Sequence, residues 1–211
     1  MRPFPRPLLP MSLLLTALAG IGAAQAATTD YAIDPVHTRV AFQISHAGFS
    51  NPIGSFSGSH GSLRFDELDW STAQIDVVIP LATLDLGDAD WQKKVLDPTF
   101  FNAKKFPEAH FVSRRVEKTG NATANITGEL TLHGVTRPVV LAVTMNALKR
   151  HPLTLRKTAG FSATATISRK DFAMDAWRGV VGDSVRLIIE VEATRSGHDT
   201  DAQEHADADQ K

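Results

Sequence analysis

The sequence predicts an all-β fold of about eight antiparallel strands, packed as a sandwich or rolled into a barrel, with one short helix across an end. Three observations carry this expectation. Segments that alternate apolar and polar residues recur through most of the chain, a single stretch has helical spacing, and strands do not alternate with helices as a parallel sheet requires.

The strands follow in order. Val40, Phe42 and Ile44 share a face against Arg39, Ala41, Gln43 and Ser45, because successive strand side chains point to opposite sides. Leu63 and Phe65 repeat the pattern in GSLRFD, and Ile75, Val77, Ile79 and Leu81 repeat it in QIDVVIPL. Phe111 marks a strand in AHFVSRRV, and Ile126 leads into GELTLHGVTRPVVLAVTM. There Leu130 and Leu132 face one way, the pattern breaks at His133 and Gly134, and Val139, Leu141, Val143 and Met145 share a face again, which reads as a hairpin with one oily surface. Phe161, Ala163, Ala165 and Ile167 alternate with serine and threonine, and Val185, Leu187, Ile189 and Val191 close the series.

The helix lies in DADWQKKVLDPTFF. Asp88 or Asp90 caps its start, Trp91, Val95 and Leu96 fall on one side, and Pro98 discourages continuation. Many strands run for about nine residues, longer than the usual ~5 to 6. At ~3.3 Å per residue and a tilt near 40°, a barrel of such strands is roughly 23 Å tall, and it is either filled by its own side chains or holds one elongated ligand.

The two ends of the chain differ from this middle. Arg2 and Arg6 precede an apolar run from Leu8 to Ile21 that closes in Ala24-Gln25-Ala26, the pattern of a secretory signal peptide over residues 1–26. The run is shorter than the ~20 residues that span a bilayer, and no cysteine follows it to carry a lipid anchor. Residues 27–195 are expected to form one domain, soluble and periplasmic, and residues 196–211 a disordered polar tail with no apolar side chain larger than alanine. Without Arg2 and Arg6 the 22 basic residues become 20 against 23 acidic ones, a net charge of about −3. Nucleic acid is therefore excluded as a natural partner. The chain has no cysteine, so its core must supply the stability.

Catalytic and metal signals are weak. His37, His46, His60, His110, His133 and His151 do not pair with one another at metal-ligand spacing, and the chain lacks an HExxH run and a Gly-x-Ser-x-Gly elbow. Asp171, Asp175 and Asp183 form no readable acid-base pair. No catalytic residue, metal or cofactor is expected. Phe49, Phe56, Phe100, Phe101, Phe106, Phe172 and Trp177 fall in loops or at strand ends, where they form either end plugs or an apolar mouth.

Five blocks in order now become informative: IDPVHTRVAFQISHAGFSNPIGSFSGSHGSLRFD, with His37, His46, Gly48, Gly54 and Phe56; FFNAKKFPEAHFVS; GELTLHGVTRPVVL; AGFSATATISRKDFAM; and VGDSVRLIIEVEA. Together they make the chain from Tyr31 to Thr194 resemble the YceI-like family of exported, lipocalin-like proteins that bind polyisoprenoids. The resemblance implies an eight-stranded antiparallel lipocalin-like barrel with a short capping helix, a long apolar chain in its lumen and no catalytic apparatus. It departs from the family at Pro52, where relatives often carry a bulky apolar residue, and at Trp91 and Val95, which are often polar or basic there.

Alternation and resemblance together nominate the lining. On the first long strand and its end these are Phe42, Ile44, His46 and Phe49; further on, Ile79, Leu130, Leu132, Leu141 and Val143; and at the end of the domain Phe161, Ala163, Ala165, Leu187 and Ile189. Ala163 and Ala165 favour a hollow interior, because small inward side chains leave volume that a filled core must recover elsewhere. The expected ligand is a polyisoprenoid, an isoprenoid quinone or a similar long-chain lipid, held for storage, transport or a stress response, with transient contact to a membrane or membrane protein. The rival reading is a filled barrel that serves as a stress or interaction module without lipid.

Overall fold

The computed structural model describes residues 28–197. The leader read over residues 1–26 and the tail beyond Gly197 lie outside these residues. Among the described residues there are ten strand segments and one α-helix: β1 (Thr29–Ile33), β2 (Arg39–His46), β3 (Ile53–Phe56), β4 (His60–Phe65), β5 (Gln74–Pro80), α1 (Ala89–Leu96), β6 (Glu108–Lys118), β7 (Thr123–Leu132), β8 (Val135–Arg150), β9 (Lys157–Ser168) and β10 (Val181–Arg195).

All the strands pair antiparallel, and ten segments make eight staves. β1 and β2 lie end to end against β10, while β3 and β4 lie end to end against β2 and β1. From β4 the chain continues through β5, β6, β7, β8 and β9 to β10, which bonds back to β1. The sheet is thus a closed eight-stranded antiparallel barrel.

Local chemistry breaks the first two staves. Between β1 and β2, Asp34 Oδ1 accepts the backbone N–H of Val36 (2.7 Å) and His37 (3.2 Å), which folds the chain into a turn. Asp34 to Thr38 consequently occupy a stretch where β10 places only Val191 and Glu192. Between β3 and β4, Thr83 Oγ1 accepts from Ser57 N (3.1 Å) and donates to Ser57 O (2.8 Å). The Gly58 N–H donates to Pro35 O (3.3 Å), so the two breaks sit side by side.

The turn after β7 is set by backbone geometry. His133 (φ 52°) and Gly134 (φ 76°) make a two-residue connection between the paired Leu132 and Val135, the left-handed arrangement that suits the twist of a hairpin. A side chain at Gly134 would also strike the Phe106 ring, 2.6 Å from the position of a Cβ.

The two ends of the barrel differ. At one end Phe65 stacks edge-on against Trp70 (5.6 Å between ring centres) and Phe161 (5.9 Å), while Tyr31, Ala159 and Ala193 are fully buried beside them. This end is plugged. Across the other end lie α1 and the segment from Phe172 to Val181. Asp88 caps α1 through its Oδ1, which accepts the Trp91 N–H at 2.8 Å. Val95 and Leu96 of the helix pack onto the core, while Trp91 stays partly in solvent.

Candidate functional site

Side chains that point inward from all eight staves do not meet in the middle. They surround a cavity of about 400 Å³, inside the range of pockets that take small apolar ligands. Its wall is almost wholly apolar, with aliphatic residues from the staves and aromatic rings toward both ends.

The alternation read from the sequence places most of the nominated residues on this wall. Phe42, Ile44, Ile79, Leu130, Leu132, Leu141, Val143, Phe161, Ala163, Leu187 and Ile189 all border the cavity, and His46 borders it from the rim, exposed. Ala163 stands between Val143 of β8 and Ile189 of β10 in the ladder, and both also face the cavity. Ala165 is buried in the same row but does not reach the cavity; Leu187, its ladder partner, does. Phe49 lies elsewhere. Ala47 (φ 50°) and Gly48 (φ 76°) turn the chain sharply after β2, and the Phe49 ring is left 90 % exposed.

The loop aromatics divide similarly. Phe56, Phe100, Phe101 and Trp177 border the cavity, Phe172 is buried outside it, and Phe106 packs edge-on against His133. Among them Trp177 joins the helix to the opposite rim. Lys94 Nζ lies 4.6 Å from the centre of its ring, and Phe100 packs beside it at 6.4 Å. Trp91, Trp177 and Val180 both border the cavity and reach solvent, so the apolar wall continues outward at this mouth.

Polar groups on the wall fall into two places. Ser45, His46, Lys94 and Arg169 belong to the mouth; Thr38 and Ser59 lie at the paired stave breaks. Arg169 is 4 % exposed, and its guanidinium donates to three backbone carbonyls: Nε to Gly182 (2.8 Å), Nη1 to Met174 (2.6 Å) and Nη2 to Val181 (2.9 Å). Burial lowers its pKa from the ordinary value against the opposing fields of Asp183 and Asp175. Arg169 thereby fastens the rim segment to the end of β9. Nothing in its sequence setting signals this, because a charged residue just past a strand end normally faces water.

A second cluster of titratable groups sits on the outer surface. Asp34, His37 and Glu192 bring their ligand atoms within 4.8 Å of one another, a geometry open to a divalent cation, but they do not border the cavity. His37 Nδ1 is 2.8 Å from Asp34 Oδ2 and 4.0 Å from Glu192 Oε2. The hydrogen bond to Asp34, helped by both negative charges, raises the His37 pKa. For Asp34 burial works upward, yet the bonds from His37 and from the N–H groups of Val36 and His37 outweigh it and leave the pKa lowered.

Comparison with known proteins bears on the whole barrel. A family model described as a YceI-like domain matches residues 31–193. A UPF0312 protein of Pseudomonas savastanoi pv. phaseolicola is 39 % identical over 166 residues, 78 % of this chain and 86 % of its own. A UPF0312 protein of Ectopseudomonas mendocina is 36 % identical over 187 residues, 88 % of this chain and 97 % of its own. Among solved structures, the YCEI protein of Campylobacter jejuni matches with a TM-score of 0.65 at 28 % identity, covering 71 % of this chain and 88 % of that one. A polyisoprenoid binding domain from Saccharophagus degradans matches with a TM-score of 0.61, covering 79 % and 98 %; at 14 % identity the likeness is one of fold.

Proposed function

The chain belongs to the YceI-like family, and from that premise we propose that its barrel is an exported, non-catalytic carrier of a long-chain apolar lipid. The single observation that supports this most is the apolar cavity, plugged at the Phe65, Trp70 and Phe161 end and bordered by partly exposed aromatics at the other. A void of that kind is costly when empty, and each buried CH₂ of a ligand gains up to ~0.8 kcal/mol. About ten buried carbons give roughly 8 kcal/mol before ordering costs, so the tail supplies most of the affinity.

The ligand we propose is a polyisoprenoid, an isoprenoid quinone or a lipid of similar length. The fold shared with the polyisoprenoid binding domain of Saccharophagus degradans supports that class. No metal or cofactor enters the proposal; among the described residues the charged groups on the cavity wall are Lys94 and Arg169 at the mouth, and no carboxylate borders it. Export to the periplasm rests on the leader pattern of Arg2, Arg6, the Leu8 to Ile21 run and Ala24-Gln25-Ala26. Loading at a membrane surface or from a membrane protein is supported by Trp91, Trp177 and Val180, which extend the wall into solvent beside the mouth.

The test is to purify the protein from its native compartment without detergent, extract it with organic solvent and identify the extract by mass spectrometry. The proposal expects an apolar lipid at about one per chain. Repeated lipid-free preparations that also fail to take up prenyl quinones would end it.

A further inference from the structure

Deep in the wall, away from the charged mouth, one hydroxyl has no partner. Ser59 is completely buried, borders the cavity, and its Oγ makes no hydrogen bond. The reason lies in the broken staves. Ser57, Gly58 and Ser59 interrupt β3 and β4 beside the turn that interrupts β1 and β2, and the breaks bring two hydroxyl-bearing residues, Ser59 and Thr38, to the cavity wall. Thr38 Oγ1 is used within the wall, accepting from Glu192 N at 3.3 Å and donating to Glu192 O at 3.4 Å. The Ser59 hydroxyl is left over.

A buried hydroxyl without a partner is destabilising, and folded proteins retain few of them without a use. Apart from Thr38, the staves at the breaks contribute apolar side chains to the wall, among them Phe56 and Leu63 on the stave of Ser59, Val77 on β5 and Val40 on β2. A pure hydrocarbon chain passing Ser59 would leave it unsatisfied. An ionised headgroup would find no opposite charge there, because the cations on the wall sit at the mouth on α1 and at the end of β9.

We infer that Ser59 is a hydrogen-bonding subsite inside the barrel for a neutral hydroxyl or carbonyl group on an otherwise apolar ligand, which enters with that group leading. This rests on the reading of the cavity as a lipid site and adds the chemical class and orientation of the occupant. Ser59 is then a specificity residue. It separates oxygen-bearing prenyl lipids from hydrocarbons of the same length.

The experiment uses the delipidated full chain, a prenyl alcohol and the hydrocarbon of equal chain length, each titrated into the parent protein and Ser59→Ala. The expected result is a loss of about five- to ten-fold in alcohol affinity, with hydrocarbon affinity unchanged or improved. The ligand-free variant should melt at or above the parent temperature, since the hydroxyl it loses makes no bond. Equal changes for both ligands, or no change for either, would overturn the subsite, as would a lower melting temperature in the ligand-free variant. If the parent takes up neither ligand, the lipid-carrier reading itself fails, and the subsite with it.

Discussion

Lys94 on α1 lies over the indole of Trp177, its Nζ 4.6 Å from the ring centre, and this contact ties the helix to the rim segment on the far side of the mouth. Both residues border the cavity. A ligand that passes between α1 and the rim must displace this contact. Trp177→Ala should therefore speed lipid release several-fold in a stopped-flow displacement assay while leaving the melting temperature nearly unchanged, because Trp177 is half exposed. An unchanged release rate would mean that the ligand leaves by another route.

Arg169 is predicted to matter for stability rather than for binding alone. Removing its side chain leaves the carbonyls of Met174, Val181 and Gly182 without their donor. Arg169→Met should cost about 3 kcal/mol in denaturant unfolding, and Arg169→Lys should recover only part of that, because one ammonium cannot reproduce the planar fork. A loss within ~0.5 kcal/mol, typical of a surface site, would contradict the assigned role.

The pair Asp34 and His37 gives a pH dependence with a defined sign. His37 has a raised pKa, so its contribution is fully present below the ordinary imidazole value and is lost as pH rises through the raised one. Asp34 has a lowered pKa, so its contribution is present above the ordinary carboxylate value and is lost as pH falls through the lowered one. The turn is thus best held between roughly pH 4 and pH 6.5. In an NMR titration the His37 midpoint should lie above that of a free histidine and fall toward it in Asp34→Asn. A midpoint indifferent to that substitution would refute the pairing.

The eight staves were legible because each is half buried, and a half-buried strand records its orientation as alternation. β1 and β3 escaped for a physical reason. They have five and four residues, and on β3 the exposed residue is Ile53 while the inward positions are Gly54 and Phe56. Gly54 is small because the Phe42 ring lies against it, with Cζ 2.3 Å from where a Cβ would be. Phe49 read as lining because it is one of the aromatics at strand ends that could form an apolar mouth, but the left-handed turn at Ala47 and Gly48 leaves its ring in solvent. Thr38, Ser59 and Arg169 carried no signal at all. Their burial depends on neighbours from Glu192, Val181 and other distant segments, which local patterning does not contain.

Under the proposed function an apolar chain lies in front of Ala163, whose ladder neighbours Val143 and Ile189 also face the cavity. The most direct test is an equilibrium lipid titration of delipidated Ala163→Trp beside the parent. In a hollow barrel the indole takes the place of several ligand carbons, so the parent should bind about one lipid per chain, and the variant should bind at least ten-fold more weakly while losing less than about 1 kcal/mol of ligand-free stability. Parent-like binding by the folded variant would rule out a ligand at this position, because no chain could lie where the indole stands.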